Sequence, residues 1–97
     1  MKLSILLLLV LATWNTYGQK TKKVTKKFDD YTETYYVLKK NKYRKHGPYK
    51  KIGVTGKTLE EGNYTNGFRG GLWKFYQPSG IISSEGNYDK GYKTGVW

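Results

Sequence analysis

Cysteine is absent from this chain, and histidine occurs once, at His46. The first absence excludes disulfide bonds and thiolate metal ligation. With a single histidine besides, no zinc or transition-metal site and no cofactor is expected. Acidic residues are scarce too: seven Asp and Glu stand against eighteen Lys and Arg, for a formal net charge of +11. Beyond residue 12 there is no long apolar run, and glycine recurs too often for any stretch to keep a helical period. What the chain has in abundance is aromatic: ten Tyr, three Trp and three Phe, set among twelve Gly. That balance predicts an all-β protein.

The one apolar run follows Lys2 and covers residues 3–12, with small residues at Thr16 and Gly18. A bilayer span needs about 18 or more consecutive apolar residues, so residues 1–18 read as a signal peptide cleaved near Gly18. The expected localisation is therefore periplasmic or extracellular. One small domain remains from Gln19 onward, near the size at which a hydrophobic core alone barely suffices.

The domain repeats itself. Glu61-Gly62-Asn63-Tyr64-Thr65-Asn66-Gly67 returns 24 residues later as Glu85-Gly86-Asn87-Tyr88-Asp89-Lys90-Gly91. The same offset carries Gly47 onto Gly71 and Gly95, Tyr49 onto Trp73 and Trp97, and Gly56 onto Gly80. A fixed period of this length marks stacked supersecondary units, each unable to bury its apolar face alone. Each unit reads as an antiparallel hairpin: residues 48–52 out and 57–64 back, then 72–77 out and 81–88 back. Gly56, Gly80 and Asn66-Gly67 supply the turns. Tyr49, Trp73 and Trp97 are expected to form one aromatic ladder and Tyr64 and Tyr88 another, together making the core.

Before the repeats, residues 31–38 are aromatic and β-branched and predict a capping strand. Residues 39–46 form a polar turn, with a short strand through Tyr43 as an option. Residues 19–30 hold little apolar surface and much like charge, which predicts a basic flexible arm. The resulting organisation is a signal peptide at 1–18, the arm at 19–30, a strand and cap at 31–46, and repeats at 47–70, 71–94 and in part 95–97.

The Gly-x-Tyr/Trp openings at Tyr49 and Trp73, the glycine turns, and Glu-Gly-x-Tyr-x-x-Gly at Glu61 and Glu85 together resemble the MORN repeat, in its bacterial antitoxin-like and exported variant. The resemblance covers Gly47 to Trp97, with departures at Lys51, which stands where the next unit has Phe75, and in the short third unit. It implies a ribbon or solenoid of stacked hairpins used for interaction or scaffolding. It also implies links to membranes and phospholipids in some members, and inhibition of another protein in antitoxin-like ones.

Catalysis has little support among these residues. His46 has Gly70 and Thr94 at its equivalent positions and reads as a turn residue. Glu61 and Glu85 recur before glycine, as carboxylates that accept backbone or Tyr hydrogen bonds, or pair with Lys on the neighbouring hairpin, would. No catalytic residue is assigned. The expected function is a non-enzymatic interaction module, with a ladder of Tyr49, Trp73, Phe75, Tyr76 and Trp97 as its binding face. The partner would be an unidentified protein, or a second copy at the open C-terminal edge.

Charge supplies an alternative. Residues 19–51 hold twelve of the Lys and Arg against three acids, whereas residues 52–97 are nearly neutral. Lys39, Lys40, Lys42, Arg44, Lys45, Lys50 and Lys51, interleaved with Tyr36, Tyr43 and Tyr49, suit an anionic surface such as phospholipid headgroups, lipopolysaccharide, acidic glycan or, less aptly, nucleic acid. The same lysines would also protect exposed strand edges from pairing.

Overall fold

The computed structural model describes residues 20–97. The signal-peptide expectation at 1–18 lies outside the described residues. Within them no helix is long and apolar enough to cross a membrane.

The described chain is all-β, an open antiparallel sheet of seven strands in sequential order. These are β1 (Thr21–Lys27), β2 (Tyr31–Leu38), β3 (Gly47–Gly53), β4 (Thr58–Thr65), β5 (Phe68–Tyr76), β6 (Ile82–Asp89) and β7 (Tyr92–Thr94). Every strand pairs with its neighbours in sequence, so the hairpins run on as one continuous meander. The strands of the repeated segments fall where the glycine turns predict them. Residues 66 and 67 both have positive φ, at 48° and 93°, which is the two-residue turn whose twist matches paired strands. Lys90 and Gly91 repeat it at 50° and 89°.

The expected flexible arm is corrected by the structure. Thr21–Lys27 pairs along its whole length with β2, from Thr21 opposite Leu38 to Lys27 opposite Thr32. Local composition disfavours order here, but a ready-made neighbouring strand offers the backbone its hydrogen bonds, and Val24 packs against the core opposite Tyr35. The outermost strand is therefore a lysine-rich edge. The turn at 39–46 is compact, and its bridge to β2 runs through Lys45 opposite Val37 rather than through Tyr43, which is fully exposed.

One face of the sheet carries the core: Tyr35, Val37, Tyr49 and Trp73 are buried, with Val24, Tyr64, Phe75, Tyr88 and Trp97 packed against them. The two expected ladders merge into a single zigzag row. Tyr35 stacks on Tyr49 at 6.3 Å, Tyr49 lies 5.4 Å from Trp73, and Tyr64 meets both edge-on. Tyr88 then stands edge-on to Trp73 and Trp97, at 6.2 and 5.1 Å. Such edge-to-face contacts suit the ring quadrupole.

Glycine makes room for this row. A Cβ on Gly62 would lie 2.2 Å from the Trp73 ring, and one on Gly86 would lie 2.4 Å from the Trp97 ring. Both glycines serve as a flat floor under an indole. Cations roof the row: Lys45 lies 4.9 Å from the Tyr35 ring, Arg69 4.6 Å from Trp73 and Lys93 4.5 Å from Trp97. Their spacing is again 24 residues.

Candidate interaction surface

Alternation along the strands decides which side chains a partner could reach. Tyr49 and Trp73 are buried, at 6% and 0% exposure. The two central members of the expected binding ladder are therefore core: Tyr49 lies among Tyr35, Tyr64 and Trp73, and Trp73 among Tyr49, Tyr64, Phe75 and Tyr88 with Arg69 over its ring. Phe75 and Trp97 are half-buried in the same row, 6.0 Å apart. Tyr76 belongs to the other face, where its hydroxyl donates to Oε2 of Glu61. The five residues do not form one accessible surface.

The core face holds a polar network that sequence reading missed. The Tyr49 hydroxyl donates to Oε2 of Glu33 at 2.6 Å. Burial first, and that carboxylate second, push the Tyr49 phenol well above its ordinary value. Glu60 lies between Lys51 at 3.6 Å and Arg69 at 3.7 Å. Arg69 also donates to the Tyr88 hydroxyl at 3.0 Å. Burial works against its charge, yet hydrogen bonding to Tyr64 and Tyr88 outweighs that and holds Arg69 above its usual value. The signal for these pairs is cross-strand register, which one sequence does not display.

The two repeated tryptophans differ in how the indole N–H is met. Trp73 Nε1 donates to the Asn63 carbonyl at 3.0 Å, at a register irregularity between β4 and β5. Trp97 Nε1 is buried with no acceptor among the described residues, and the Asn87 carbonyl instead takes the Thr94 hydroxyl at 3.4 Å.

The seven residues of the expected basic patch are dispersed. Lys51 is drawn to Glu60 and the Tyr31 ring. Lys45 sits over Tyr35 and Tyr64, and Arg44 donates to the Asn66 carbonyl at 2.9 Å. Lys50 faces the opposite side of the sheet. Lys39, Lys40 and Lys42 remain exposed in the β2–β3 turn. That turn is tied to the start of β1, since the Lys39 amide donates to the Lys20 carbonyl at 3.0 Å. His46 has a local role: its Nδ1 accepts the Asn66 amide at 3.0 Å, bracing the β4–β5 turn. Among the described residues no group of three His, Cys, Asp or Glu could hold a metal ion.

The face opposite the aromatic row is uncovered. It holds a shallow groove of about 630 Å³ across β1 to β5, lined by Lys23, Tyr36, Lys50, Glu61, Leu72 and Lys74 among others. Leu72 is 50% exposed there. The Glu61 carboxylate raises Tyr76 to about 12, chiefly through their hydrogen bond. Positions 34, 36, 48, 50, 72 and 74 alternate with the aromatic core positions, so parity could have separated the faces; which lysines share a groove needed the register.

No protein family, curated protein or solved structure matches this chain.

Proposed function

We propose that this chain is an exported, non-catalytic β-hairpin repeat protein of the MORN type, acting as an interaction module through the uncovered face of its sheet. The supporting observation is the recurrence of contacts at the sequence period. Gly62 and Gly86 floor Trp73 and Trp97, and the Gly67 and Gly91 amides donate to the carbonyls of Lys45 and Arg69. One construction repeated along a ribbon yields an extended surface rather than a cleft. With the aromatic row inside, the opposite face and the lysine-rich edge are what such a ribbon offers a partner.

Export is checked by N-terminal sequencing of the protein recovered outside the cytoplasm, which should begin at Gln19. A photo-crosslinker at Leu72 should capture a discrete partner from the protein's own compartment, whereas one at exposed Val54 in the β3–β4 turn should not. Equal capture at both positions, or at neither, rejects the reading.

A second reading, binding of an anionic surface by the lysine-rich edge, draws on the Lys39–Lys20 contact that gathers the exposed turn lysines beside β1. It predicts retention on heparin or anionic vesicles that collapses as salt rises. Reversal of Lys39, Lys40 and Lys42 to Glu should abolish the retention. Persistence in that variant sinks the reading.

A further inference from the structure

Across the middle of the uncovered face the register sets charges in alternation. Lys50 on β3 pairs with Glu61 on β4, Glu61 with Lys74 on β5, and Lys74 with Glu85 on β6. Neighbouring strands lie about 4.8 Å apart, so like charges recur about every 10 Å across the sheet. Among the described residues Lys50 and Lys74 form no ion pair; the ion pairs present belong to Lys51, Arg69 and Glu60, on the core face. Glu61 is instead held in place by the Tyr76 hydroxyl at one oxygen. The other oxygen takes no hydrogen bond from the described residues. Beside this row the groove offers the half-buried Tyr36 ring, Pro48 and half-exposed Leu72 as apolar contacts, with the Asn63 side chain adding a polar one.

A ligand complementary to this face is extended and crosses the strands. It carries an anion at every second unit, and neutral hydroxyl donors between for Glu61 and Asn63. A phosphodiester chain or a densely sulfated glycan has an anion on every unit and would set some of them against Glu61. A lipid surface is flat and cannot follow a groove. We propose that the uncovered face binds a linear acidic polysaccharide in which uronate and neutral sugars alternate. Lys50 and Lys74 pair with successive carboxylates, Glu61 accepts from the intervening neutral sugar, and Tyr36 and Leu72 support the apolar sugar faces. The proposal rests on the reading of the chain as an exported binding module and names the partner class for its open face.

The test is calorimetric titration of the full mature chain, at about 0.15 M salt where surface charges beyond about 8 Å are screened. The probes are hyaluronan oligosaccharides, heparin oligosaccharides of equal length, and neutral dextran. Hyaluronan should bind and dextran should not. The pair Lys50→Glu and Lys74→Glu should weaken hyaluronan binding about tenfold or more, with the circular dichroism spectrum and melting temperature retained, while Lys39, Lys40 and Lys42 reversed to Glu should leave it within about twofold. Glu61→Gln should weaken hyaluronan and strengthen heparin, which a merely structural Glu61 would not do. Absence of hyaluronan binding, indifference to the Lys50 and Lys74 reversals, or equal loss of both glycans on those reversals overturns the proposal. If Leu72 still crosslinks a partner while hyaluronan fails, the glycan assignment falls and the binding-module reading stands; if both fail, both fall.

Discussion

Gly62 and Gly86 occupy equivalent places in the repeated sequence but carry different burdens. Trp73 is fully buried between Tyr49, Tyr64, Phe75 and Tyr88, so its ring cannot yield to a Cβ at Gly62. Trp97 is only half-buried and follows β7 outside any strand, so its ring can swing away from one at Gly86. Gly62→Ala should therefore destabilise by about 1–3 kcal/mol in urea unfolding, the usual range for overpacking, and Gly86→Ala by clearly less. Equal losses would mean that Trp97 is held as firmly as Trp73. Lys90 provides a test of opposite sign. It sits at φ 50°, where the equivalent position holds Asn66 at 48°. Asn tolerates this left-handed region better than a long L side chain does. Lys90→Asn should raise stability by up to about 1 kcal/mol in the same measurement.

At the scale of the element, β1 shows how an edge can be ordered and protected at once. Its backbone pairs fully with β2 and Val24 reaches the core, while Lys22, Lys23, Lys26 and Lys27 line its exposed length. Inward-facing or edge lysines deter another chain from adding a strand. Replacing Lys22 and Lys26 with Val should leave the sheet intact and promote concentration-dependent association, read by sedimentation velocity. A variant that stays monomeric at high concentration would show that the lysines are not what protects the edge. The sequence made β3 through β6 legible because the glycine turns and the aromatic alternation coincide there. It misdirected for β1 because local charge density argues for disorder, whereas the strand exists through hairpin pairing with β2, which follows it across the turn at 28–30. It was half right about the aromatic ladder. The rings do line up, but the neighbouring rings of the row bury Tyr49 and Trp73 and leave them nothing to offer a partner.

For the whole molecule, an open sheet must stabilise itself largely with its own side chains. The core face does this with rings roofed by Lys45, Arg69 and Lys93, and a phenol–carboxylate hydrogen bond ties strands together on each face, Tyr49 to Glu33 on the core face and Tyr76 to Glu61 on the other. Those bonds make stability depend on alkaline pH. An unperturbed tyrosine ionises near 10. Tyr76 is raised to about 12 by Glu61, and Tyr49 is raised further by burial and Glu33. With folded values above unfolded ones, the stabilisation is complete below about pH 10 and is lost as pH rises through 12 and beyond, because the unfolded chain releases its phenolic protons first. Urea midpoints should thus fall from pH 10 to 12, and Tyr76→Phe should remove part of that fall. A pH-independent midpoint across this window would contradict the two hydrogen bonds.

The sequence by itself determined the period, the turns and the all-β character. Each of these is local: positive-φ residues, glycine spacing and alternation act within a few residues and leave their mark on the chain. Tertiary structure decided which face is closed, which lysines are spent on rings and carboxylates, and which meet in a groove. Those outcomes depend on the register between paired strands, such as the one that sets Lys50 and Lys74 on either side of Glu61 on β4. Register sets partners for a side chain only after the strands have paired, and that is why the open face came into view only with the fold.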